Sequence, residues 1–295
     1  MKKLHQIIQN QFDSAKNIAI VTHVRPDGDA IGSLLGLGLT LQDRGKLVQM
    51  VSPDGVPTNF RYLSGSSQVK CTIETEPDLL VTVDCSDLQR GGSVLADRIP
   101  GLNIDHHLTN LNFGEVNLVE PNAVATCAIL AQYLPHWNFP ISRPVAEALL
   151  TGVVSDTIGF RTPNVTPQAL RLAATLIEHG ASLSALYHHA LVRRSFEAAR
   201  YWGMALERLQ REGRIIWTTL TLTDREEAAY PGNDDADLVN LLSTVDDTDI
   251  VVLFVEQKGG HVKVSWRAQP GLDVSQIALR FNGGGHPAAA GADIP

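Results

Sequence analysis

Short apolar segments alternate with longer helical segments through the first half of the chain. Residues 17–22, 78–83 and 102–104 are runs of apolar and β-branched residues, which are typical of buried parallel strands. Residues 30–43 form a longer apolar stretch that ends at Arg44-Gly45, a helix stop. Further segments continue the pattern: a strand at 47–51 and helices at 123–134, 144–154 and 166–179. This alternation predicts an α/β fold with a doubly wound, mostly parallel sheet.

The pattern changes beyond residue 185. Residues 186–212 are charged and helical, and we expect them to connect a catalytic domain at 1–185 to a smaller α/β domain at 213–295. In that second domain, strands are predicted at 215–222, 250–257 and 261–268, and helices at 235–245 and 271–281. Lys258-Gly259-Gly260 between two of these strands is a hairpin signal.

Polar residues cluster where the predicted strands of the first domain end. The segment His23-x-x-x-Asp27-x-Asp29 follows the first strand, Asp84 follows a buried one, and Asp105-His106-His107 follows a third. Open α/β sheets bind ligands beyond the carboxyl ends of their strands. We therefore expect these side chains to share one site.

Each candidate also has a structural interpretation. Pro26-Asp27-Gly28 is turn chemistry, and Asp84 can cap a helix or turn, with Asp87 as a nearby competitor. Asp156, at the end of an apolar helix, is by itself more typical of a cap than of a ligand. The run at 105–107 is harder to explain by packing, since strand alternation separates His106 from its two neighbours, and Asp105 can then orient a ring.

Taken together, the candidates form a set that suits divalent cations. The predicted metal ligands are four aspartates and two histidines: His23, Asp27, Asp29, Asp84, His106 and Asp156. Carboxylates favour a hard ion, and histidines shift the preference from magnesium towards manganese. Two cations can activate water and stabilise an in-line displacement at phosphorus, with Asp84 as the candidate bridge between them.

Composition indicates where in the cell the protein is located and which substrates are disfavoured. The chain has 295 residues and a formal net charge of −8, which disfavours binding to long duplex nucleic acid. It has no apolar run long enough for a membrane span and no signal peptide, and its three cysteines indicate free thiols, so we expect a cytoplasmic protein.

A second group of candidates lies near the end of the chain. The glycine run Gly283, Gly284 and Gly285, followed by His286, indicates either a close backbone approach to a phosphate or a flexible loop. Arg267, which ends a predicted strand, can hold a phosphate or carboxylate in its bidentate fork.

These motifs, in this order, resemble the DHH phosphoesterase superfamily over nearly the whole chain. The matching motifs are His23-x-x-Pro26-Asp27-Gly28-Asp29, Asp84, Asp105-His106-His107, Gly152-x-x-x-Asp156 and the glycine run ending at His286. The resemblance is strongest to its nanoRNase/pAp phosphatase group and to the stand-alone cyclic di-AMP phosphodiesterases.

The resemblance implies a catalytic domain, a smaller substrate-holding domain and two manganese ions at the six named ligands, with Mg²⁺ or Co²⁺ as substitutes. It implies that His107 lies beside the scissile phosphate, with Asp84 as the second catalytic residue. It also implies a homodimer and a set of residues that hold the nucleotide: Ser265, Arg267, Gly283, Gly284, Gly285 and His286.

We therefore expect a hydrolase that cleaves very short oligoribonucleotides to mononucleotides and dephosphorylates pAp. An alternative with the same chemistry is a phosphodiesterase for cyclic di-AMP or its linear product pApA. A nucleotide sensor without turnover is a third hypothesis, and the presence of all six ligands argues against it.

Overall fold

The computed structural model describes residues 2–96 and 98–295, which divide into two compact units at Arg193 and Arg194. The first unit contains a five-stranded sheet of β1 (Asn17–Val21), β2 (Leu47–Val51), β3 (Leu79–Val83), β4 (Leu102–Asp105) and β5 (Val116–Val119). Its helices are α1 (Lys2–Ser14), α2 (Gly28–Asp43), α3 (Thr126–Tyr133), α4 (Arg143–Asp156), α5 (Pro167–Glu178) and α6 (Leu183–Tyr187). None of the described helices is long and apolar enough to cross a membrane.

The strand order of this sheet is β2-β1-β3-β4-β5, and every neighbouring pair is parallel. The α/β fold with a parallel sheet is therefore confirmed. In this order the chain runs first to one side of β1 and then to the other, so β1 and β3 flank the topological switch point where such sheets bind ligands.

Strand alternation divides the buried residues between two faces of the sheet. Ile18 and Ile20 of β1 pack in the main core with the apolar residues of α2, α3 and α4. Ala19 and Val21 point to the opposite face, where they pack in a smaller cluster with Leu95 and neighbouring loop residues. The second face is thus covered near β1 by irregular segments around Leu95.

Helices α2 and α4 pack closely because glycines face the contact. A Cβ atom placed on Gly32 of α2 would lie 2.6 Å from the carbonyl oxygen of Ala148 in α4. The two helices carry Asp29 and Asp156 respectively, so their close packing also sets the distance between these carboxylates.

The second unit contains a mixed six-stranded sheet of β6 (Gln210–Glu212), β7 (Ile215–Leu220), β8 (Ile250–Glu256), β9 (Val262–Ala268), β10 (Gly284–His286) and β11 (Ala289–Ile294). The order is β10-β11-β9-β8-β7-β6, with β7 and β8 parallel and the other pairs antiparallel. Its helices are α7 (Phe196–Glu207), α8 (Leu222–Ala228), α9 (Leu238–Leu242) and α10 (Ser275–Leu279). The predicted hairpin at Lys258-Gly259-Gly260 joins β8 to β9.

The segment 186–212, expected to be a helical connector, is divided between the two units. It contains the end of α6 and a π-helical turn, His188–Val192, in the first unit, followed by α7 and β6 in the second. Helix α7 belongs to the second unit because Tyr201 and Ala205 are fully buried in the core formed with β7 and β8.

Candidate metal centre and active site

The candidate residues of the first unit meet at the carboxyl edge of its sheet. His23 lies two residues after β1, Asp84 directly follows β3, and Asp105 and His106 stand at the end of β4. His23 and Asp84 therefore flank the switch point between β1 and β3. Asp29 and Asp156 reach the same place from the first turn of α2 and the last residue of α4.

Asp84 is the centre of this arrangement. Its side chain is 1% exposed, and its backbone is left-handed, with a φ of 59° that few residues other than glycine adopt. One carboxylate oxygen, Oδ2, lies 3.4 Å from Nε2 of His23. The other, Oδ1, accepts a hydrogen bond from the Thr126 hydroxyl at 3.0 Å and lies 3.7 Å from Nε2 of His106.

Three groups of possible ligands contain Asp84, with the donor atoms of each group within 4.8 Å of one another. Two of them consist of predicted metal ligands: one of His23, Asp27 and Asp84, and the other of Asp29, Asp84 and His106. The third combines Asp84 with Asp105 and His107. Asp156 extends the second group, because its Oδ2 lies 3.5 Å from Nε2 of His106. The structure thus brings together all six residues that the sequence nominates as metal ligands.

The histidines are oriented as metal ligands usually are. Nδ1 of His23 lies 2.8 Å from the carbonyl oxygen of Val24, which can only accept, so Nδ1 carries the proton in the neutral ring. Its Nε2 is buried without a hydrogen-bond partner in the described part of the chain, although it faces Asp84. A lone pair aimed at a carboxylate is repulsive, and a cation between the two groups would remove that repulsion. The donor set therefore fits a divalent metal ion.

The electrostatics of the centre also favour a bound cation. Burial, together with the charges of Asp84 and Asp156, raises the pKa of Asp29 well above its usual value. Burial raises the pKa of Asp156 to about 6. Burial also acts to raise the pKa of Asp84, but the neighbouring imidazoles of His23, His107 and His106 outweigh it in their protonated form and lower that pKa, as a bound cation would. Several carboxylates are thus crowded into a dry site, where positive charge stabilises them.

Two of the predicted ligands, Asp27 and Asp29, also accept hydrogen bonds from the N-termini of helices. Asp27 caps α2, since its Oδ1 accepts from the backbone N–H groups of Asp29 and Ala30, both at 3.0 Å. Its Oδ2 lies 4.0 Å from Nε2 of His23. Asp29 accepts from the backbone N–H groups of Thr126 and Cys127 at the start of α3, at 2.6 and 2.9 Å. Helix termini therefore fix these carboxylates where they face the centre.

His107 occupies a different position from His106. Its Nδ1 lies 2.7 Å from Oδ1 of Asp105, whose side chain is fully buried, while the His107 ring is 19% exposed. His106 instead faces Asp29 and Asp156, as the predicted alternation requires. Burial acts to lower the pKa of His107, but the hydrogen bond to Asp105 and the charge of Asp84 outweigh it and raise that pKa.

The predicted nucleotide-binding residues of the second unit lie on or next to β9 and β10, the two strands that flank β11. Ser265 and Arg267 are on β9, directly opposite Gly291 and Ala289 of β11. Gly284, Gly285 and His286 form β10, which pairs with β11, and Gly283 directly precedes it. The Nε of Arg267 donates to Oδ1 of Asn240 at 3.0 Å.

The glycines of this run have a structural role within the sheet. A Cβ on Gly283 would lie 2.2 Å from the carbonyl oxygen of Gly291, and Gly285 has a φ of 138°. Side chains at these two positions would therefore disrupt the pairing of β10 with β11.

Sequence reasoning missed two contributors to the site, Thr126 and Asn110, and named Gly152 without giving it a role. The Thr126 hydroxyl donates to Asp84, and the Asn110 amide donates to Asp105 at 2.6 Å. A Cβ on Gly152 would lie 2.7 Å from Oδ1 of Asp29 and 2.2 Å from Sγ of Cys127. Of the three residues, only Gly152 could have been identified from the sequence, because it lies one helical turn before Asp156 on the same face of α4.

We predict that Gly152→Ala destabilises the first unit and weakens metal binding together. The added methyl group displaces Asp29 or Cys127, and such overpacking costs about 1–3 kcal/mol. Urea unfolding measures the loss, and manganese titration measures the weaker binding. Gly203→Ala in α7 is the matched control: a Cβ there meets nothing within 4 Å, so we expect a gain of about 0.4–1 kcal/mol. Equal unfolding free energies for the two variants would contradict the prediction.

Fold and centre together define an α/β protein with a histidine–aspartate centre at the switch point of a parallel sheet. Residues 17–153 match the model of the DHH family, N-terminal domain, and residues 224–295 match that of the DHHA1 domain. The chain is 33% identical to a Thermus thermophilus protein named "Bifunctional oligoribonuclease and PAP phosphatase NrnA", over 94% of this chain and 84% of the relative. The chain belongs to the DHH family.

A second sequence relative agrees with this assignment, and two solved structures share the fold. A Bacillus subtilis protein of the same name is 26% identical over 94% of this chain and 89% of the relative. An exopolyphosphatase-related protein from Bacteroides fragilis has the same fold, with a TM-score of 0.90, 24% identity, and coverage of 99% of this chain and 91% of that one. RecJ of Thermus thermophilus, solved with Mn²⁺, matches with a TM-score of 0.53 and 13% identity, over all of this chain and 52% of its own.

Proposed function

We propose that this protein is a manganese-dependent phosphoesterase that hydrolyses very short oligoribonucleotides to mononucleotides and dephosphorylates pAp. The observation that carries the proposal is the pair of ligand groups that share Asp84, each containing one histidine and further carboxylates. The names of the Thermus and Bacillus relatives support the substrate class, because both are called oligoribonuclease and PAP phosphatase.

The residues present assign ligands to two cations. His23, Asp27 and Asp84 would hold one, and Asp29, Asp84, His106 and Asp156 the other, with Mn²⁺ preferred and Mg²⁺ or Co²⁺ as substitutes. Two divalent cations, when bound, supply an activated water and neutralise charge that develops on the phosphate.

His107 is the proposed proton donor to the leaving oxygen. Its Nδ1 is hydrogen-bonded to Asp105, so Nε2 on the opposite side of the ring is the atom that can transfer a proton. Nδ1 of the partly exposed His107 ring lies 3.7 Å from Oδ1 of Asp84, so the ring is beside the proposed metal site. A proton delivered to the ribose oxygen prevents an unstable alkoxide from forming as the ester bond breaks.

We further propose that the second unit binds the nucleotide through Ser265, Arg267, the glycines 283–285 and His286. The guanidinium of Arg267 donates to Asn240 and to the Trp266 carbonyl oxygen, which fixes its orientation. An oriented guanidinium is suited to bidentate binding of a phosphate.

A hydrolysis assay on pAp, pApA and cyclic di-AMP, with and without Mn²⁺, tests the function. We expect manganese-dependent release of AMP from pApA and of phosphate from pAp. Preferential turnover of the cyclic compound would instead indicate a cyclic di-AMP phosphodiesterase. Binding without turnover of any of the three would indicate a nucleotide sensor. The expected homodimer and cytoplasmic location stay predictions, and light scattering on the purified protein tests the former.

A further inference from the structure

A row of polar side chains crosses the sheet of the first unit. Thr82 of β3 is directly opposite Asn103 of β4, which is directly opposite Asn117 of β5. Thr82 and Asn103 are both 0% exposed. Central strands of parallel sheets are usually continuous apolar runs, and burying amides costs free energy unless each is hydrogen-bonded. A polar row at this depth therefore needs a physical reason.

Hydrogen bonds connect this row to His107. The Thr82 hydroxyl donates to Oδ1 of Asn103 at 3.1 Å, and Nδ2 of Asn103 donates to Oδ1 of Asn110 at 3.2 Å. Nδ2 of Asn110 donates to Oδ2 of Asp105 at 2.6 Å, and the other oxygen of Asp105 lies 2.7 Å from Nδ1 of His107. We call Thr82, Asn103, Asn110 and Asp105 the buried relay.

The chemistry of the partners fixes the direction of every bond in the buried relay. Asn110 must turn its NH₂ towards Asp105 and the Cys85 carbonyl oxygen, at 2.6 and 3.0 Å, because these groups accept. Its Oδ1 then faces Asn103 and accepts from the NH₂ of that residue, which leaves Oδ1 of Asn103 for the Thr82 hydroxyl. The amide orientations are thus determined by the network from end to end.

We propose that Asn110 and Asn103 are positioning residues for catalysis. They hold Asp105 in one rotamer, and Asp105 in turn holds the His107 imidazole in the orientation and tautomer that place Nε2 towards the substrate. Both asparagines act through Asp105 and touch neither substrate nor cation. The inference rests on the proposed function, since it assigns a purpose to residues that support His107.

The double variant Thr82→Val/Asn103→Leu tests the proposal. It replaces both partners of a buried hydrogen bond by apolar groups of similar shape. The amide oxygens of Asn110 and Asn117 lose the Asn103 donor but keep the backbone N–H groups of Asn112 and Gly114, so the change should be close to neutral for folding. We expect nearly unchanged thermal stability, unchanged manganese binding and a KM for pApA within about twofold of the wild type, while kcat falls about 10- to 100-fold. Thr218→Val is the control, because that buried strand threonine donates only to the Ala205 carbonyl oxygen, and it should keep full kcat.

Asn110→Asp provides a second variant should the first fail to fold. It keeps the size of the side chain but replaces the donor facing Asp105 by an acceptor, so we expect a fall in kcat at least as large. Asn110→Asp on the double-variant background should add little, because both changes break the same network.

The outcomes separate this inference from the proposed function. A wild-type protein that hydrolyses none of the three nucleotides refutes the proposed function. A wild-type protein that is active, together with relay variants that keep full kcat, refutes only the positioning role. A parallel loss of kcat, thermal stability and manganese binding would show that the buried relay is merely structural, and this too would overturn the proposal.

Discussion

Asp84→Asn lowers kcat/KM for pApA by at least about 1000-fold, which exceeds the 10- to 100-fold typical for residues that only orient a metal ligand. The expected loss is large because Asp84 belongs to both ligand groups, whereas each other residue belongs to one centre. The amide keeps the shape of the side chain and one acceptor for the Thr126 hydroxyl, but it removes the charge that two cations would share. Steady-state kinetics with saturating Mn²⁺ measures the effect.

Metal binding provides a second measurement on the same variant. A cation that binds only the folded state raises the melting temperature, and the rise grows with the ratio of its concentration to its dissociation constant. We expect Mn²⁺ to raise the melting temperature of the wild type and to have little effect on Asp84→Asn. Without metal the variant should be less stable than the wild type at neutral pH, because the lowered pKa of Asp84 means that its ionised carboxylate stabilises the folded state.

Asp87→Asn is the matched control for this prediction. Asp87 is three residues further along and accepts from the Ser86 hydroxyl and the Arg90 backbone N–H, at 3.1 and 3.0 Å. An amide oxygen can keep either bond, so we expect activity and metal binding close to the wild type. An active Asp84→Asn with normal manganese stabilisation would contradict the assignment of Asp84 as the shared ligand.

The sequence predicted the site best where strand periodicity and residue chemistry agree. The runs that became β1, β3 and β4 are apolar and short, and each is followed by an acid or a histidine. Parallel strands bring their carboxyl ends to one edge of the sheet, so the sequence alone places residues from distant positions together at that edge. The convergence of Asp84 with His23 and His106 follows from this rule.

Other parts of the fold depend on contacts that one sequence does not reveal. Helix α1 was not predicted, because polar residues outnumber apolar ones along it, although the two residues that it buries, Ile8 and Phe12, lie one turn apart on one face. The glycine run became β10 because Gly283 and Gly285 approach β11 closely, which depends on the partner strand. The buried relay was equally hidden, since a strand asparagine such as Asn103 becomes meaningful only when its neighbours across the sheet are known.

His107→Asn should lower kcat for pApA by about 100- to 10,000-fold, the range of general acid catalysis. An asparagine amide can still donate to Asp105 from nearly the place of Nδ1, so the variant keeps the anchoring hydrogen bond and removes the proton donor on the far side of the ring. The decisive measurement is the dependence on leaving group. The ribose oxygen of pApA needs a proton to leave, whereas p-nitrophenolate does not.

We therefore expect His107→Asn to hydrolyse a p-nitrophenyl ester of a nucleotide at a rate much closer to that of the wild type. His136→Asn is the control, because His136 is exposed and its ring contacts the Gln132 carbonyl oxygen of its own helical segment. Equal losses on both substrates would show that His107 binds the phosphate rather than protonating the leaving oxygen. Since the buried relay acts through His107, its variants should show the same dependence on leaving group, with smaller losses. If a relay variant were slowed equally on both substrates while His107→Asn behaved as expected, the buried relay would not act through proton donation by His107.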